Sequence, residues 1–389
     1  MRLPLPDFRL ETYFSRWEFV AEHHLTASDA QTLTVAELLA LADESDREAF
    51  SALPLGYTPT WGTDRLREAV SRTYDTCGPA DVLTFAGAEE AIFWLMQLLV
   101  HPGEHVVVTV PNYQAMETLP LASGVQVSGV PLDEHDGWRL DLDRVRAALR
   151  PSTRLVAVNF PNNPTGAVPD PQMWQGLADL CAERGIRLLS DEVYRGLELD
   201  PARRLTQAAD LAPTAVSINV LSKSYGLPGL RVGWVATRDR DVLRSLERHK
   251  HYTSICNAGP SEFLGAVAVE RGEAIHARNR AIIAANVAAF DAFFATHEDL
   301  FEWTPPDGGC VAFPRYLGAD GVEAFCRTLV ESAGVLLLPA GIYTSDLAPV
   351  PADRFRIGVG RANAGPALAA FDRFLASDFG RFRAPATGS

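Results

Sequence analysis

Four short runs constrain this chain most: HVVVTV at 105–110, RLVAVNF at 154–160, RLLSDEV at 187–193 and AVSINVLS at 215–222. Each is largely apolar and rich in β-branched residues, the pattern of a strand covered on both faces. Between them lie amphipathic stretches with helical spacing: AEEAIFWLMQLLV (88–100), LDRVRAALR (142–150) and PQMWQGLADLCAERG (171–185). The last has Pro171 near its start and Gly185 near its end, the usual punctuation of a helix. Regular alternation of strand and helix predicts an α/β fold, a large mostly parallel sheet sandwiched by helices.

The C-terminal third changes character. A long helical pattern over 275–297 is followed by CVAFPRY (310–316), GVLLLPA (334–340) and RFRIGVG (354–360), which predict a smaller α+β domain. The expected division is an N-terminal arm over 1–45 packing with either domain, a large domain over 46–270 and a small C-terminal domain over 271–389. At 389 residues the chain is long enough for both.

Charge and cysteine content narrow the class. The formal net charge is −14, which argues against non-specific binding to nucleic acid or an anionic membrane. Five widely spaced cysteines (Cys77, Cys181, Cys256, Cys310, Cys326) form no CxxC pair, so reduced thiols of a cytoplasmic protein are expected rather than disulfides or a metal site. The N-terminus lacks a signal-peptide core, and no run approaches the ~20 apolar residues of a membrane span. His23 and His24 have no evident third ligand, so they read as surface residues.

Ligands of a parallel sheet gather beyond the carboxyl ends of its strands. The polar residues that follow each apolar run are therefore the informative ones. PNNPTG (161–166) follows the second run, Asp191 and Tyr194 the third, and Ser222 and Lys223 the fourth. TFAGAEE (84–90) puts small residues at a helix N-terminus, whose free N–H groups bind anions. In VLSKSYGLPGLRVGW (220–234), Lys223 and Arg231 stand eight apart among small and apolar residues. An unpaired buried charge costs roughly several kcal/mol, so both cations must face a ligand.

From about residue 50 to 365 these pieces, in this order, resemble the fold-type I pyridoxal phosphate (PLP) enzymes of the class I/II aminotransferase family. The resemblance rests on GY before LREAV, GAEEAI, P-x-Y, NNPTG, DEVY, SKSYGLPGLRVGW and a late FRIG. It implies pyridoxal 5′-phosphate as cofactor, with Lys223 forming the Schiff base and moving protons at the substrate Cα. Asp191 is then the partner of the pyridine nitrogen, and Asn163 and Tyr194 bond the ring oxygen. Asn163 also faces the substrate, and the Asn163–Pro164 bond is expected to be cis. The phosphate falls to the N–H groups of Ala88 and Glu89 and to the side chains of Ser222 and Arg231. The side chains of Glu89 and Glu90 are expected to point away from it. Tyr113 is placed to stack on the ring. Tyr57 resembles a tyrosine that reaches a neighbouring subunit's phosphate, which implies a homodimer with sites at the interface. Alternation puts Arg354 and Arg356 on one face, with Arg361 nearby; the family match selects Arg356 for the substrate α-carboxylate.

Three departures bear on the reaction. Val220 stands where relatives carry a serine or threonine phosphate ligand. LTASDAQTLT (25–34) replaces a glycine-rich segment that touches substrate. HKHYTSICNAGPSEF (249–263) falls where relatives send a loop toward the neighbouring subunit, and it serves either recognition or packing. Cys256 and Cys310 are candidates for the pocket wall. Transamination of a small amino acid is the first reading. The motif and the altered N-terminal segment also look similar to capreomycidine synthase-like enzymes of antibiotic biosynthesis, which implies elimination with ring closure, C–S lysis or oxidative decarboxylation as the alternative. A non-catalytic regulator is a remote third, since the short N-terminus leaves no place for a DNA-binding domain.

Overall fold

A computed structural model of the protein describes residues 4–362 and 364–377; the last part of the expected small domain, 378–389, lies outside the described residues. Its centre is a sheet of seven strands: β1 (Val82–Phe85), β2 (His105–Val110), β3 (Gln126–Pro131), β4 (Thr153–Asn159), β5 (Arg187–Asp191), β6 (Val216–Val220) and β7 (Gly233–Ala236). They lie in the order β1-β7-β6-β5-β4-β2-β3. β7 is antiparallel to both neighbours, so the other six strands point one way. The four apolar runs are β2, β4, β5 and β6. The sheet gains β1, β3 and β7 beyond them. β3 carries Gln126, Ser128 and Gly129 on an edge, and β7 begins two residues after Arg231 in a stretch that reads as loop.

Alternate residues of the central strands feed two apolar layers. Val106, Val108, Leu155 and Ala157 pack with Ile92 and Leu95 of the helix Ala88–Leu98. Val107, Val156, Val158 and Leu188 pack with Trp174 and Leu177 of the helix Pro171–Glu183. The second layer runs on without a break into the phenylalanine-rich core of the C-terminal unit, where Phe290, Phe301, Phe325, Phe355 and Phe371 meet. That unit holds the antiparallel strands β8 (Val311–Ala312), β9 (Leu338–Pro339) and β10 (Phe355–Gly358), with β10 central.

The N-terminal arm ties onto the C-terminal unit and crosses the large one. Its helix α1 (Arg9–Trp17) is fixed by Tyr13 Oη donating to the Leu337 carbonyl at 3.1 Å and by Arg9 N–H to Gln114 Oε1 at 2.9 Å. His23–His24 then pairs in parallel with Val335–Leu336. The histidines are not surface residues as expected, because this pairing draws them inward. Their side chains are only 19% and 12% exposed.

A buried polar cluster braces the sheet edge near β1. Lys250, fully buried at the end of the helix Arg240–Lys250, donates to the Thr60 carbonyl at 2.6 Å and to Asn257 Oδ1 at 3.1 Å. Asn257 Nδ2 in turn donates to the Phe85 carbonyl at 2.7 Å and to the Arg231 carbonyl at 3.3 Å. Removing one member of such a cluster strands the others. Lys250→Ala is expected to lower stability by about 3 kcal/mol, read as a reduced urea midpoint at unchanged slope. A wild-type midpoint would contradict the bracing role.

Candidate active site

Because six strands point one way, the ends of β1, β2, β4, β5 and β6 open on one edge. A cavity of about 550 Å³ lies there. Register sets who meets whom. Phe85 and Val220 both pair with Gly233, so Gly87, Ser222 and Arg231, each two residues beyond that row, come together. Asn159 pairs with Asp191 at the neighbouring strand ends.

The first cluster is an anion cradle. Arg231 lies near Ser222 Oγ (Nη1 at 3.5 Å) and donates from Nη2 to the Ala86 carbonyl at 3.2 Å. Its own backbone is left-handed, with φ 52°, a strained setting for a non-glycine residue. Gly87 makes room: a Cβ there would stand 2.5 Å from Arg231 Nη2, and its φ of 107° excludes side chains anyway. Gly87 also leaves the following helix without a side-chain cap, so the N–H groups of Ala88 and Glu89 begin a bare helix N-terminus. Val220 is a buried apolar part of the wall and supplies no donor.

The second cluster surrounds Lys223. Its Nζ donates to Ser28 Oγ at 2.9 Å, and burial lowers its pKa, with Arg356 adding to the effect and Asp29 opposing it. Asp191 is buried, accepts the Val193 N–H at 3.1 Å and leaves the rest of its carboxyl to the cavity; burial raises its pKa to about 6. Tyr194 is buried on the same wall, and burial raises its pKa. Asn163 accepts from Tyr343 Oη at 3.0 Å and from Arg356 Nη1 at 3.2 Å through one oxygen, which leaves its amide N–H₂ for the cavity. The Asn163–Pro164 bond is cis, as expected.

The three late arginines separate cleanly. Arg354 pairs with Glu134 at 2.9 Å and lies over Trp138, outside the cavity. Arg361 pairs with Asp29 at 3.0 Å on the cavity wall. Arg356 is fully buried, with Tyr343 Oη at 2.8 Å and the Thr26 carbonyl at 2.9 Å, and no carboxylate within 4 Å among the described residues. A guanidinium with neutral partners only is built to receive an anion.

The expectation for the two glutamates of the first helical turn holds for one of them. Glu90 does turn away, accepting Ala86 N–H at 2.8 Å and the Thr253 and Ser254 hydroxyls. Glu89 does not. Successive helical residues differ by about 100°, so the first turn cannot hide both, and Glu89 lies in the cavity bonded to Tyr113. Though open to the cavity on one side, its carboxyl is desolvated by the wall and raised to about 7.

Tyr57 is absent from its own chain's cavity and is 92% exposed. The segment 249–263 also stays outside it; Asn257 and Glu262 are buried behind the cradle and Tyr252 is exposed. Neither Cys256 nor Cys310 lines the wall. Residues the sequence reading missed are Glu11, Glu18, Ser28, Asp29 and Tyr343. The spacing of Glu11, Phe14 and Glu18 (i, i+3, i+7) marks one helical face and could have flagged the first two; nothing local marks Tyr343.

The model of the family "Aminotransferase class I and II" matches residues 25–368. The chain belongs to the class I and II aminotransferases. It is 34% identical to a capreomycidine synthase of Streptomyces vinaceus over 91% of this chain and 88% of that one. It is 30% identical to an arginine–pyruvate transaminase of Pseudomonas aeruginosa over 78% and 77%. A PLP-dependent aminotransferase structure from Streptococcus suis superposes with a TM-score of 0.87 at 30% identity, covering 96% and 98%. Enzymes of this aminotransferase family use pyridoxal phosphate. The cavity suits that cofactor in kind: a bare helix N-terminus with Arg231 for a phosphate, a lysine amine for an aldehyde, and a buried carboxylate for a ring nitrogen.

Gly87→Ala tests the cradle. It should displace the Arg231 guanidinium and weaken pyridoxal phosphate binding at least about tenfold, measured by absorbance titration of the cofactor-free protein. Unchanged affinity would remove Arg231 from the phosphate site.

Proposed function

We propose that the protein is a PLP-dependent aminotransferase for a small α-amino acid with a cationic side chain, working as a cytoplasmic homodimer. The observation that carries the substrate class is a set of three carboxylates on the cavity wall without a close cationic partner. Glu11, Glu18 and Glu89 line it, and none has a lysine or arginine within 4 Å among the described residues. Within 4 Å Glu18 has His24 at 3.9 Å, and burial with two nearby arginines lowers the pKa of that ring to about 4, so it is neutral; Arg361 and Lys223 act on Glu18 only from farther away. Three carboxylates around one pocket favour an ammonium or guanidinium there. The arginine–pyruvate transaminase among the relatives supports the same class.

Bound pyridoxal phosphate supplies an aldehyde that captures amines and a ring that accepts electrons from Cα. The chain supplies the rest. Arg356 would hold the α-carboxylate, Arg231, Ser222 and the helix N-terminus the phosphate, and Asp191 a proton on the ring nitrogen. The free amide of Asn163 and the hydroxyl of Tyr194 would bond the ring oxygen, with Tyr113 against the ring face. Lys223, its pKa lowered by burial, would take the proton from Cα and deliver it to the cofactor's aldehyde carbon. A division near residue 270 separates the sheet from the unit that carries Arg356. Leu55 and Tyr57, and Tyr252 and Ile255, are exposed on two segments joined by Thr58 Oγ1 donating to the Asn257 carbonyl at 2.7 Å. Such an apolar patch supports docking of a second copy.

The identity to capreomycidine synthase over 91% of the chain favours a second reading, elimination with ring closure on the same cationic substrate class. The two readings part in one experiment. Holoenzyme incubated with arginine, lysine, leucine or aspartate and no ketoacid should convert to the aminated cofactor fastest with a basic amino acid. Release of ammonia or water with the starting absorption regained would instead support elimination. Preference for leucine or aspartate would sink the substrate class.

Glu89 adds a pH test. Its carboxyl gains charge as pH rises through about 7, so KM for a basic amino acid should fall across that range. Glu89→Gln should flatten the profile and raise this KM several-fold without changing KM for a neutral substrate. Lys223→Ala should abolish the covalent cofactor linkage and its visible band.

A further inference from the structure

The segment 25–34, which replaces the family's glycine-rich stretch, runs directly across the catalytic lysine. It is held on both sides. Gly358 N–H donates to the Leu25 carbonyl at 3.0 Å, Gln31 N–H to the Gly360 carbonyl at 2.8 Å, and Ala30 N–H to the Lys223 carbonyl at 3.2 Å. Gly358 and Gly360 permit the approach, since a Cβ on either would collide with the carbonyl oxygens of Ala27 and Asp29. The segment is thus locked between β10 and the lysine loop, and its one hydroxyl at the cavity centre is Ser28.

We propose that Ser28 is a positioning residue for the reaction of this enzyme: its hydroxyl accepts a hydrogen bond from the Lys223 amine and fixes the direction in which that amine is presented to the reacting carbon. The contact is direct, Nζ to Oγ at 2.9 Å. Ser28 also bonds Tyr194 and there offsets part of the burial that raises the tyrosine's pKa. One hydroxyl therefore links the base to the residue proposed to bond the ring oxygen. Because its backbone is pinned at both ends, Ser28 keeps its place when Lys223 is released from the cofactor by an incoming amino group. A lysine side chain with four rotatable bonds otherwise has no fixed position between steps, and positioning of this kind governs rate more than affinity. The assignment rests on the chain acting as a PLP enzyme, but not on which amino acid it takes.

The groups that face Lys223 must be held constant in any test. They are the carboxylates Asp29, Glu11, Glu18 and Asp191, the guanidinium Arg356, and neutral Tyr194 and Cys310. Ser28→Ala leaves all of these groups in the protein and removes the lysine's acceptor together with the bond to Tyr194.

The first measurement needs no amino-acid substrate: recombination of cofactor-free protein with pyridoxal phosphate, followed by absorbance across pH. In the recombined protein the Lys223 nitrogen carries the cofactor, and that nitrogen, when protonated and deprived of its acceptor, gives up its proton more readily, so the midpoint for Ser28→Ala should fall by about one pH unit. The second is turnover with the best amino donor. There kcat should fall about tenfold with KM within about twofold, and Ser28→Thr should restore both the midpoint and kcat. A wild-type midpoint or a wild-type kcat in Ser28→Ala overturns the proposal, as does a threonine variant no better than the alanine one. Far-UV circular dichroism checks folding, and Ser28→Gly carries the same comparison if the alanine variant does not fold. A wrong substrate class would alter the donor panel while leaving the recombination shift intact.

Discussion

A guanidinium buried without a carboxylate sets the terms for much of this molecule. Arg356 donates to Thr26 twice, to Asn163 and to Tyr343, all neutral oxygens. These partners come from the N-terminal arm, the loop after β4 and the turn after β9, three parts of the chain far apart in sequence. An ion in the interior costs several kcal/mol, at roughly that scale, unless its donors are satisfied and its charge is met. The fold satisfies the donors and leaves the charge to whatever enters the cavity. It thereby links arm, sheet and C-terminal unit through a single side chain, and the shared apolar core of the two units follows the same path.

The sheet supplies the other half of the arrangement. Parallel direction brings Asn159, Asp191 and Ser222 to one edge, and the antiparallel insertion of β7 returns Arg231 to that edge as well. Two residues of overhang past the row Phe85, Gly233 and Val220 are enough to assemble an anion cradle. The strain at Arg231, with its positive φ, is the local cost of turning back so tightly. Asn257, wired to Lys250, grips the Arg231 carbonyl from behind and helps hold that turn.

How much of this the sequence disclosed follows from where each residue sits. Lys223, Asp191, Asn163 and Ser222 were legible because each lies at or within four residues of the end of an apolar strand, and strand ends announce themselves by periodicity. Arg231 was legible only through its small neighbours. β7 was not, since four residues after a glycine- and proline-rich turn carry too little pattern to separate strand from loop. Glu89 was misplaced because electrostatic sense alone was applied to two consecutive glutamates, when helix geometry lets only one turn away. The arm was opaque for a different reason. Its residues take their meaning from contacts more than 300 positions away, such as Thr26 with Arg356 and His23 with Val335, and no local window contains both partners.

That opacity falls on the part that brings Glu11 and Glu18 to the cavity wall. Lys223, Asp191 and Ser222 lie at or just past strand ends fixed by register, whereas Glu11 lies on α1, a helix of nine residues anchored by Arg9 and Tyr13, and Glu18 just past its end. Changing residues on one face of that helix alters the charge at the cavity without moving Lys223, Asp191 or Arg231. Ser28 stands where the two systems meet, carried by the arm yet bonded to the lysine. On the proposed roles, recognition and reaction are coupled through the same segment. A change of substrate built on the arm is free to change the base's surroundings at the same time, and relatives sharing one sheet edge can differ in both what they bind and which bond they break.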